Sequence, residues 1–135
     1  MSLDRFIEAQ ERVWPVPLEE IQRGRKDSHW MWFVFPQLKG LGRSATALHY
    51  GIADRAEAEA YLAHPVLGRR LTEISEAMLS HDDLAPETIL GPVDALKLRS
   101  CATLFEAAGG GDVFGQILGA FYGGRRCQDT LGLLG

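Results

Sequence analysis

The fold of this chain is decided by the segment Lys26-Asp27-Ser28-His29-Trp30-Met31-Trp32-Phe33-Val34-Phe35-Pro36-Gln37, which continues as Leu38-Lys39-Gly40-Leu41-Gly42-Arg43-Ser44. Two of the three tryptophans and two of the six phenylalanines of the sequence fall within six consecutive residues here. Charged and polar side chains and a Gly-x-Gly turn flank these aromatics. An apolar run with a few polar groups beside it is typical of the wall of a small-molecule pocket. We therefore expect this segment to serve both the core and a ligand site.

The aromatic run from His29 to Phe35 is too short for periodicity to separate a helix from a strand. We favour a short buried helix, because no other segment of the sequence has the clear pattern of a partner strand. Pro36 ends this helix. Gly40-Leu41-Gly42 then forms a turn before a helix that starts at Arg43 or Ser44.

Helical patterns extend outward on both sides of this segment. Upstream, Ser2 caps a first helix, Pro15 and Pro17 interrupt it, and a second short helix ends near Gly24. Downstream, the helical segments cover residues 54–64, 65–79, 86–90, 94–108, 112–122 and 129–134, of which 86–90 and 129–134 read as single turns. We predict an all-α fold over residues 1–135, a single compact domain of seven or eight short helices with orthogonal-type packing.

Composition and charge restrict the functional class. The apolar share of 46% and the charged share of 24% are those of an ordinary globular domain. The net charge of -4 argues against a protein built to bind nucleic acid, which is usually basic. No run approaches the roughly 18 apolar residues of a membrane span, and the N-terminus lacks the layout of a signal peptide. We expect a cytoplasmic protein that binds neither nucleic acid nor membrane.

The sequence indicates neither a metal nor a cofactor. Cys101 and Cys127 form no C-x-x-C pair and no ligand cluster, so we expect free thiols rather than a disulfide or a zinc site. His49, His64 and His81 are too dispersed for a local metal motif.

The best chemical indication in the sequence is the glycine turn with the residues that follow it. Gly40 and Gly42 let backbone N–H groups face a ligand, and Arg43 and Ser44 supply further donors, which suits a phosphate or a carboxylate. The alternative is an ordinary loop with a Ser cap that leads into a helix. Lys26 belongs to a basic cluster that either complements a helix end or faces the site.

Three other side chains near the turn are candidates for ligand contact. His29 could act as a general acid or base, or serve only packing. Trp30 and Trp32 fall on different sides of a helix, so at most one of them stacks on a ligand, and we assign this role to Trp30. Gln37 would donate or accept a hydrogen bond.

A second group of candidates lies on the helix predicted at residues 94–108. Asp94, Lys97 and Ser100 are spaced by three and can present a carboxylate, an ammonium group and a hydroxyl on one face. An Asp cap with an ion pair to Lys97 explains the first two equally well without any function.

Several strings of the sequence resemble a known bacterial family. They are Gly24-Arg25-Lys26-x-Ser28-His29-Trp30-Met31-Trp32-Phe33-x-Phe35-Pro36-Gln37, Gly40-Leu41-Gly42-x-Ser44, Glu57-Ala58-x-x-Tyr61-Leu62-x-His64-Pro65-x-Leu67-Gly68-x-x-Leu71, Asp94-x-x-Lys97-Leu98-Arg99-Ser100 and Thr103-Leu104-Phe105. Together they resemble domain-of-unknown-function family 1810, whose members are often mislabelled "calpastatin". True calpastatins are disordered repeats, whereas this chain has a packable core.

The resemblance implies a small, mostly helical, single-domain protein of unassigned activity. It also implies a link to ADP-ribose-binding macro domains and hence to nucleotide-derived ligands. The family usually has an Asp in the ending Gly-Gly-x-x-Asp-x-x-Thr-Leu, where this chain has Cys127. The role of an acid at that position is therefore in doubt here, although Asp129 is nearby.

Two functional hypotheses follow from the sequence. The first is a domain that binds an anionic, nucleotide-like small molecule. In the version of this hypothesis in which the domain is an enzyme, it hydrolyses an ADP-ribose-type glycosidic bond. Lys26, Arg43 and Ser44 would hold the anion, and His29 or Asp94 would be the catalytic proton carrier. The second is a non-enzymatic module that docks a protein partner through the aromatic stretch 29–37. Whether the protein is an enzyme is left open by the sequence.

Overall fold

Ten helices run through residues 2–135, the range that this computed structural model describes. They are α1 (Asp4–Glu11), α2 (Val16–Gln22), α3 (Met31–Val34), α4 (Ala45–Tyr50), α5 (Arg55–Ala63), α6 (Leu67–Leu79), α7 (Pro86–Leu90), α8 (Pro92–Ala107), α9 (Val113–Tyr122) and α10 (Gln128–Leu134). The longest, α8, has 16 residues. Within the described range, no helix is both long and apolar enough to cross a membrane.

The all-α prediction is confirmed, and the predicted count of seven or eight helices was too low. The sequence pattern treated α7 and α10 as single turns, but they form helices of 5 and 7 residues. The described residues also contain one isolated parallel bridge, in which the backbones of Leu38 and Ile52 pair. The orthogonal type of packing stays a prediction.

The two longest helices organise the packing. Helix α8 contacts α5, α7, α9 and α10, and α6 contacts α2, α5 and α9. The buried faces of these helices and the aromatic segment contribute to one hydrophobic cluster, which includes Phe6, Trp30, Tyr61, Phe105 and Phe114. Because α8 is covered on several sides, it can carry side chains from the core to the surface at fixed positions.

A buried carboxylate holds the aromatic segment in place. Glu20 of α2 accepts hydrogen bonds from the backbone N–H groups of Asp27 (2.8 Å) and Ser28 (3.0 Å). It also accepts from the Ser28 hydroxyl at 2.6 Å and from Trp30 Nε1 at 2.9 Å. These bonds fold residues 24–30 back onto α2, so that α3 starts at a defined point of the core.

Side-chain caps begin two of the predicted helices. Ser44 Oγ accepts from the Ala47 N–H at 3.1 Å, and Asp54 Oδ1 accepts from the Glu57 N–H at 2.9 Å. Asp112 stands at the N-cap of α9 but makes no such bond. Helix α8 begins at Pro92, two residues before the predicted Asp94, because proline is favoured in a first helical turn.

Candidate functional site

A cleft of about 430 Å³ opens between α8, the segment 32–42 and the start of α10. Its walls combine apolar, cationic and polar side chains. The lining residues are Trp32, Gln37, Leu41, Gly42, Val93, Leu96, Lys97, Arg99, Ser100, Cys127 and Asp129. This mixture of an apolar surface with a few polar groups is that of a small-molecule site.

Two lysines share one carboxylate behind this cleft. Asp94 lies in the first turn of α8, where its Oδ2 is 3.0 Å from Lys26 Nζ and its Oδ1 is 3.0 Å from Lys97 Nζ. Burial raises the pKa of Asp94, but hydrogen bonds and charge from the two lysines lower it to a net value below the ordinary one. Asp94 therefore stays ionised at neutral pH, and the triad carries two positive charges against one negative.

Lys97 and Trp32 meet inside the cleft. Lys97 Nζ lies 3.9 Å from the centroid of the Trp32 ring, close enough for a cation–π contact. Both side chains line the cleft, whereas Lys26 is buried and its Nζ lies 5.1 Å from the centroid of the Trp30 ring. Of the two lysines, Lys97 is the one that lines this cleft.

Arg99 connects the cleft to the segment before α10. Its Nε donates to the Arg125 carbonyl at 2.7 Å, and its Nη2 donates to the Arg126 carbonyl at 2.8 Å. These partners are uncharged, so the bonds fix the guanidinium without neutralising it. The cleft thus has a second source of positive potential beside Lys97.

The far wall of the cleft brings Ser100 and Cys127 together. Ser100 Oγ lies 3.4 Å from Cys127 Sγ and 3.2 Å from the Leu96 carbonyl oxygen. The Cys127 N–H donates to Thr103 Oγ1 at 2.9 Å, which ties the start of α10 to α8. Burial raises the pKa of the Cys127 thiol, but hydrogen bonds from Ser100, Thr130 and Asp129 lower it to a net value below the ordinary one.

The structure brings six of the predicted site residues to this region. Gln37, Gly42, Lys97 and Ser100 line the cleft directly. Lys26 and Asp94 lie behind Lys97 and do not line the cleft, and the anion contact of Lys26 stays a prediction.

The remaining predicted residues lie elsewhere. Trp30 is 1% exposed and donates its indole N–H to Glu20, so it has no ring face for a ligand, and the stacking role predicted for it is wrong. His29 and Arg43 are exposed and do not line the cleft. Ser44 caps α4 with its hydroxyl, and Gly40 lines a shallower neighbouring pocket beside α10.

Several cleft residues were missed from the sequence. Trp32 was set aside in favour of Trp30, although a two-residue offset does place one of the pair outside the core. Arg99 belongs to the Asp94-x-x-Lys97-Leu98-Arg99-Ser100 string, so it could have been predicted as a site residue from its position beside Ser100. Asp129 and Cys127 were noticed only for their place in the ending, because nothing local indicates that α10 folds against α8.

Comparison with known proteins places the chain in a family without an assigned activity. The family model described as "Protein of unknown function (DUF1810)" matches residues 1–134. A similar solved structure is that of the conserved hypothetical protein Rv1873 from Mycobacterium tuberculosis. It is 46% identical with a TM-score of 0.95, over 98% of this chain and 95% of that one. No functionally curated protein matches the chain. The chain belongs to the DUF1810 family of proteins of unknown function.

Proposed function

We propose that the cleft binds a small anionic molecule that carries a flat ring, with nucleotide-like compounds as the chemical class. One observation carries the proposal, namely the position of Lys97. Its ammonium group lies within the cleft, 3.9 Å from the centroid of the Trp32 ring, and shares Asp94 with Lys26. Because two ammonium groups share a single carboxylate, an anion in the cleft offsets the remaining positive charge.

The walls of the cleft suit the two parts of such a ligand. Trp32 and the apolar side chains of Val93 and Leu96 offer surfaces for a planar ring. Lys97 and Arg99 offer charged donors for a phosphate or carboxylate. Gln37 and Ser100 add neutral hydrogen-bonding groups, which fix the orientation of a ligand in a mainly apolar pocket.

The strings that carry the family resemblance support this location. Gln37 and Gly42 come from the aromatic segment, and Lys97 and Ser100 come from the α8 string, yet all four line the same cleft. Cys127, at the position where the family usually has an acid, lines it too. Residues that mark the family in separate parts of the chain therefore meet at one surface.

An ADP-ribose derivative is the most concrete ligand of this class, and hydrolysis of its glycosidic bond is the enzymatic form of the proposal. His29 lies outside the cleft, and both carboxylate oxygens of Asp94 are engaged by Lys26 and Lys97, so neither residue is well placed to accept a proton from water. Asp129 is an exposed carboxylate on the cleft wall and replaces them as the proton acceptor. A water molecule activated there would be the nucleophile.

The first experiment is a thermal-shift screen of the full chain with adenosine, inorganic phosphate, ribose 5-phosphate, AMP and ADP-ribose. A ligand at one hundred times its dissociation constant stabilises the fold by about 2.7 kcal/mol. We expect AMP and ADP-ribose to raise the melting temperature more than adenosine or phosphate alone, because only they carry both ring and anion. Equal or absent shifts across the whole series would refute the proposal.

A second candidate function is the docking of a protein partner, and a specific surface favours it. Val93 and Leu96 on the rim of the cleft are 65% and 63% exposed, and Leu133 of α10 is also exposed. The aromatic stretch 29–37 itself cannot form this surface, because Trp30, Met31, Val34 and Phe35 are buried. A Leu133→Lys variant that loses a partner in pull-downs, for a wild-type protein that shows no thermal shift with AMP, would favour docking over ligand binding.

A further inference from the structure

The cleft contains a thiol in a setting that differs from that of an ordinary buried cysteine. Cys101 and Cys127 are both free, but Cys101 is buried within α8, whereas Cys127 is partly exposed and lines the cleft. A reagent that enters the cleft can therefore reach one of the two sulfur atoms and not the other. This contrast lets Cys101 serve as an internal reference.

Polar groups surround the Cys127 sulfur on its buried side. The Ser100 hydroxyl, 3.4 Å from Sγ, can donate to a thiolate or accept from a thiol. Hydrogen bonds from Ser100 and from the backbone of Thr130 and Asp129, with the Thr130 side chain nearby, outweigh the effect of burial, so the pKa of Cys127 lies below its ordinary value. The thiolate is the reactive form of cysteine, and these contacts favour it.

A second observation comes from Thr130. Its hydroxyl oxygen is completely buried and has no hydrogen-bond partner among the described residues. Its side chain nevertheless faces the Cys127 sulfur closely enough to lower the pKa of that thiol. A buried hydroxyl without a strong acceptor is unfavourable, so a charged sulfur, or an oxygen attached to it, would supply the acceptor that Thr130 lacks.

The charged groups around this sulfur are few. Lys97 and Arg99 of α8 and Asp129 of α10 line the same cleft, while the segment 32–42 contributes only uncharged residues to it. The neighbouring Arg126 is engaged by Glu106, with Nη2 2.7 Å from Oε2. None of these charges is among the causes of the lowered pKa of Cys127, which are hydrogen bonds that outweigh burial.

We propose that Cys127 is a redox-modification site of the cleft, where a small peroxide converts its thiolate to a sulfenic acid. The sulfur attacks one peroxide oxygen, an S–O bond forms, and the O–O bond breaks. The second oxygen leaves as hydroxide, which combines with the proton that the thiol released on ionisation to give water. The electron pair comes from sulfur, which is oxidised as the peroxide is reduced.

Oxidation of Cys127 would also change the ligand-binding properties of the cleft, an inference that rests on the proposed function. The added oxygen accepts hydrogen bonds from Ser100 and Thr130 and occupies space in the cleft that Lys97 also lines. We therefore expect oxidation to reduce the binding of anionic ligands. The reactivity of the thiol itself does not depend on any ligand and is tested without one.

Alkylation by iodoacetamide, followed by peptide mass spectrometry, tests the reactivity of the full chain between pH 6 and pH 9. We expect Cys127 to react at least tenfold faster than Cys101 in the folded protein, and the two to react equally in urea. The pH midpoint for Cys127 should lie below the value near 8.5 of an ordinary thiol. Comparable slow alkylation of both cysteines, or a midpoint at or above 8.5, would overturn the proposal.

Two variants and a peroxide arm complete the test. Ser100→Ala should raise the midpoint of Cys127, and unchanged slow alkylation of Cys101 reports that this variant is still folded. After hydrogen peroxide, dimedone should label wild type and Cys101→Ser at residue 127, whereas Cys127→Ser should stay unlabelled. Absence of label at Cys127 in wild type, at peroxide concentrations that label a low-pKa model thiol, would rule out the site. AMP binding by Cys127→Ser tests the ligand function separately.

Discussion

Glu20 is the residue on which the position of the aromatic segment depends most. Its carboxylate is buried and accepts four hydrogen bonds, two from backbone N–H groups and two from the side chains of Ser28 and Trp30. Burial raises the pKa of this carboxylate, but the hydrogen bonds lower it by a larger amount. The resulting pKa of Glu20 is about 2. The folded state therefore prefers the ionised form of Glu20 more strongly than the unfolded chain does.

This preference predicts a pH dependence of stability. Since the folded pKa lies below the unfolded value of 4.5, Glu20 stabilises the fold fully above about pH 4.5 and loses this effect as the pH falls towards 2. Glu20→Gln should reduce the free energy of unfolding at pH 7 by about 2 kcal/mol, with a smaller difference at pH 3. Urea unfolding of both proteins at the two pH values measures it.

The exposed neighbour Glu19 provides the control for this prediction. Glu19→Gln should change stability by less than about 0.5 kcal/mol at either pH. If the deficit of Glu20→Gln were the same at pH 3 and pH 7, ionisation of Glu20 would not be the cause of its effect.

A second prediction at the scale of single residues concerns the contribution of Asp94 to stability. Replacing it with Asn removes the charge that Lys26 and Lys97 share and leaves Lys26 buried without an anionic partner. We expect Asp94→Asn to cost about 3 kcal/mol, because an unpaired buried charge is strongly unfavourable. Chemical denaturation measures this loss, and the added substitution Lys26→Met should restore part of it. A double variant no more stable than Asp94→Asn would contradict the shared-charge account.

At the scale of helices, we predict that the substitution Gly→Ala has opposite effects on stability at two helical positions. A Cβ on Gly68 of α6 would lie 2.1 Å from the Leu62 carbonyl oxygen, whereas a Cβ on Gly119 of α9 would meet nothing within 4 Å. Gly68→Ala should destabilise the fold by about 3 kcal/mol or more, because backbone atoms must move. Gly119→Ala should stabilise it by about 0.5–1 kcal/mol through helix propensity. Thermal unfolding of the two variants should therefore move in opposite directions.

Helix positions could be predicted well from the sequence, because their signals are local. Ser44 and Asp54 start their helices as expected, and Pro36 follows the short helix α3 closely. The pairing of Leu38 with Ile52 was missed, since one isolated bridge leaves no alternating pattern to find. The burial of Trp30 depends on Glu20, ten residues earlier, and no local pattern shows that contact.

At the scale of the whole molecule, the cleft joins segments that are far apart in the sequence. Trp32 and Gln37 meet Lys97 and Ser100 of α8, and both meet Cys127 and Asp129 near the C-terminus. Some of these residues, such as Gln37, Lys97 and Ser100, were named from the sequence, and the structure brings them together at the cleft. The sequence could not show that the glycine turn presents Gly42 to the cleft while Arg43 faces solvent, because this depends on how α4 packs on α3.

The central claim is that Lys97, and not the exposed Arg43, holds the anion. Calorimetric titration of ADP-ribose into wild type, Lys97→Gln and Arg43→Gln tests it most directly, because both variants remove one positive charge. Loss of a charged hydrogen bond is worth about 1.5–3 kcal/mol, so Lys97→Gln should weaken binding at least about tenfold. Arg43→Gln should bind within about twofold of wild type. The reverse order, or equal affinities in all three proteins, would contradict the claim.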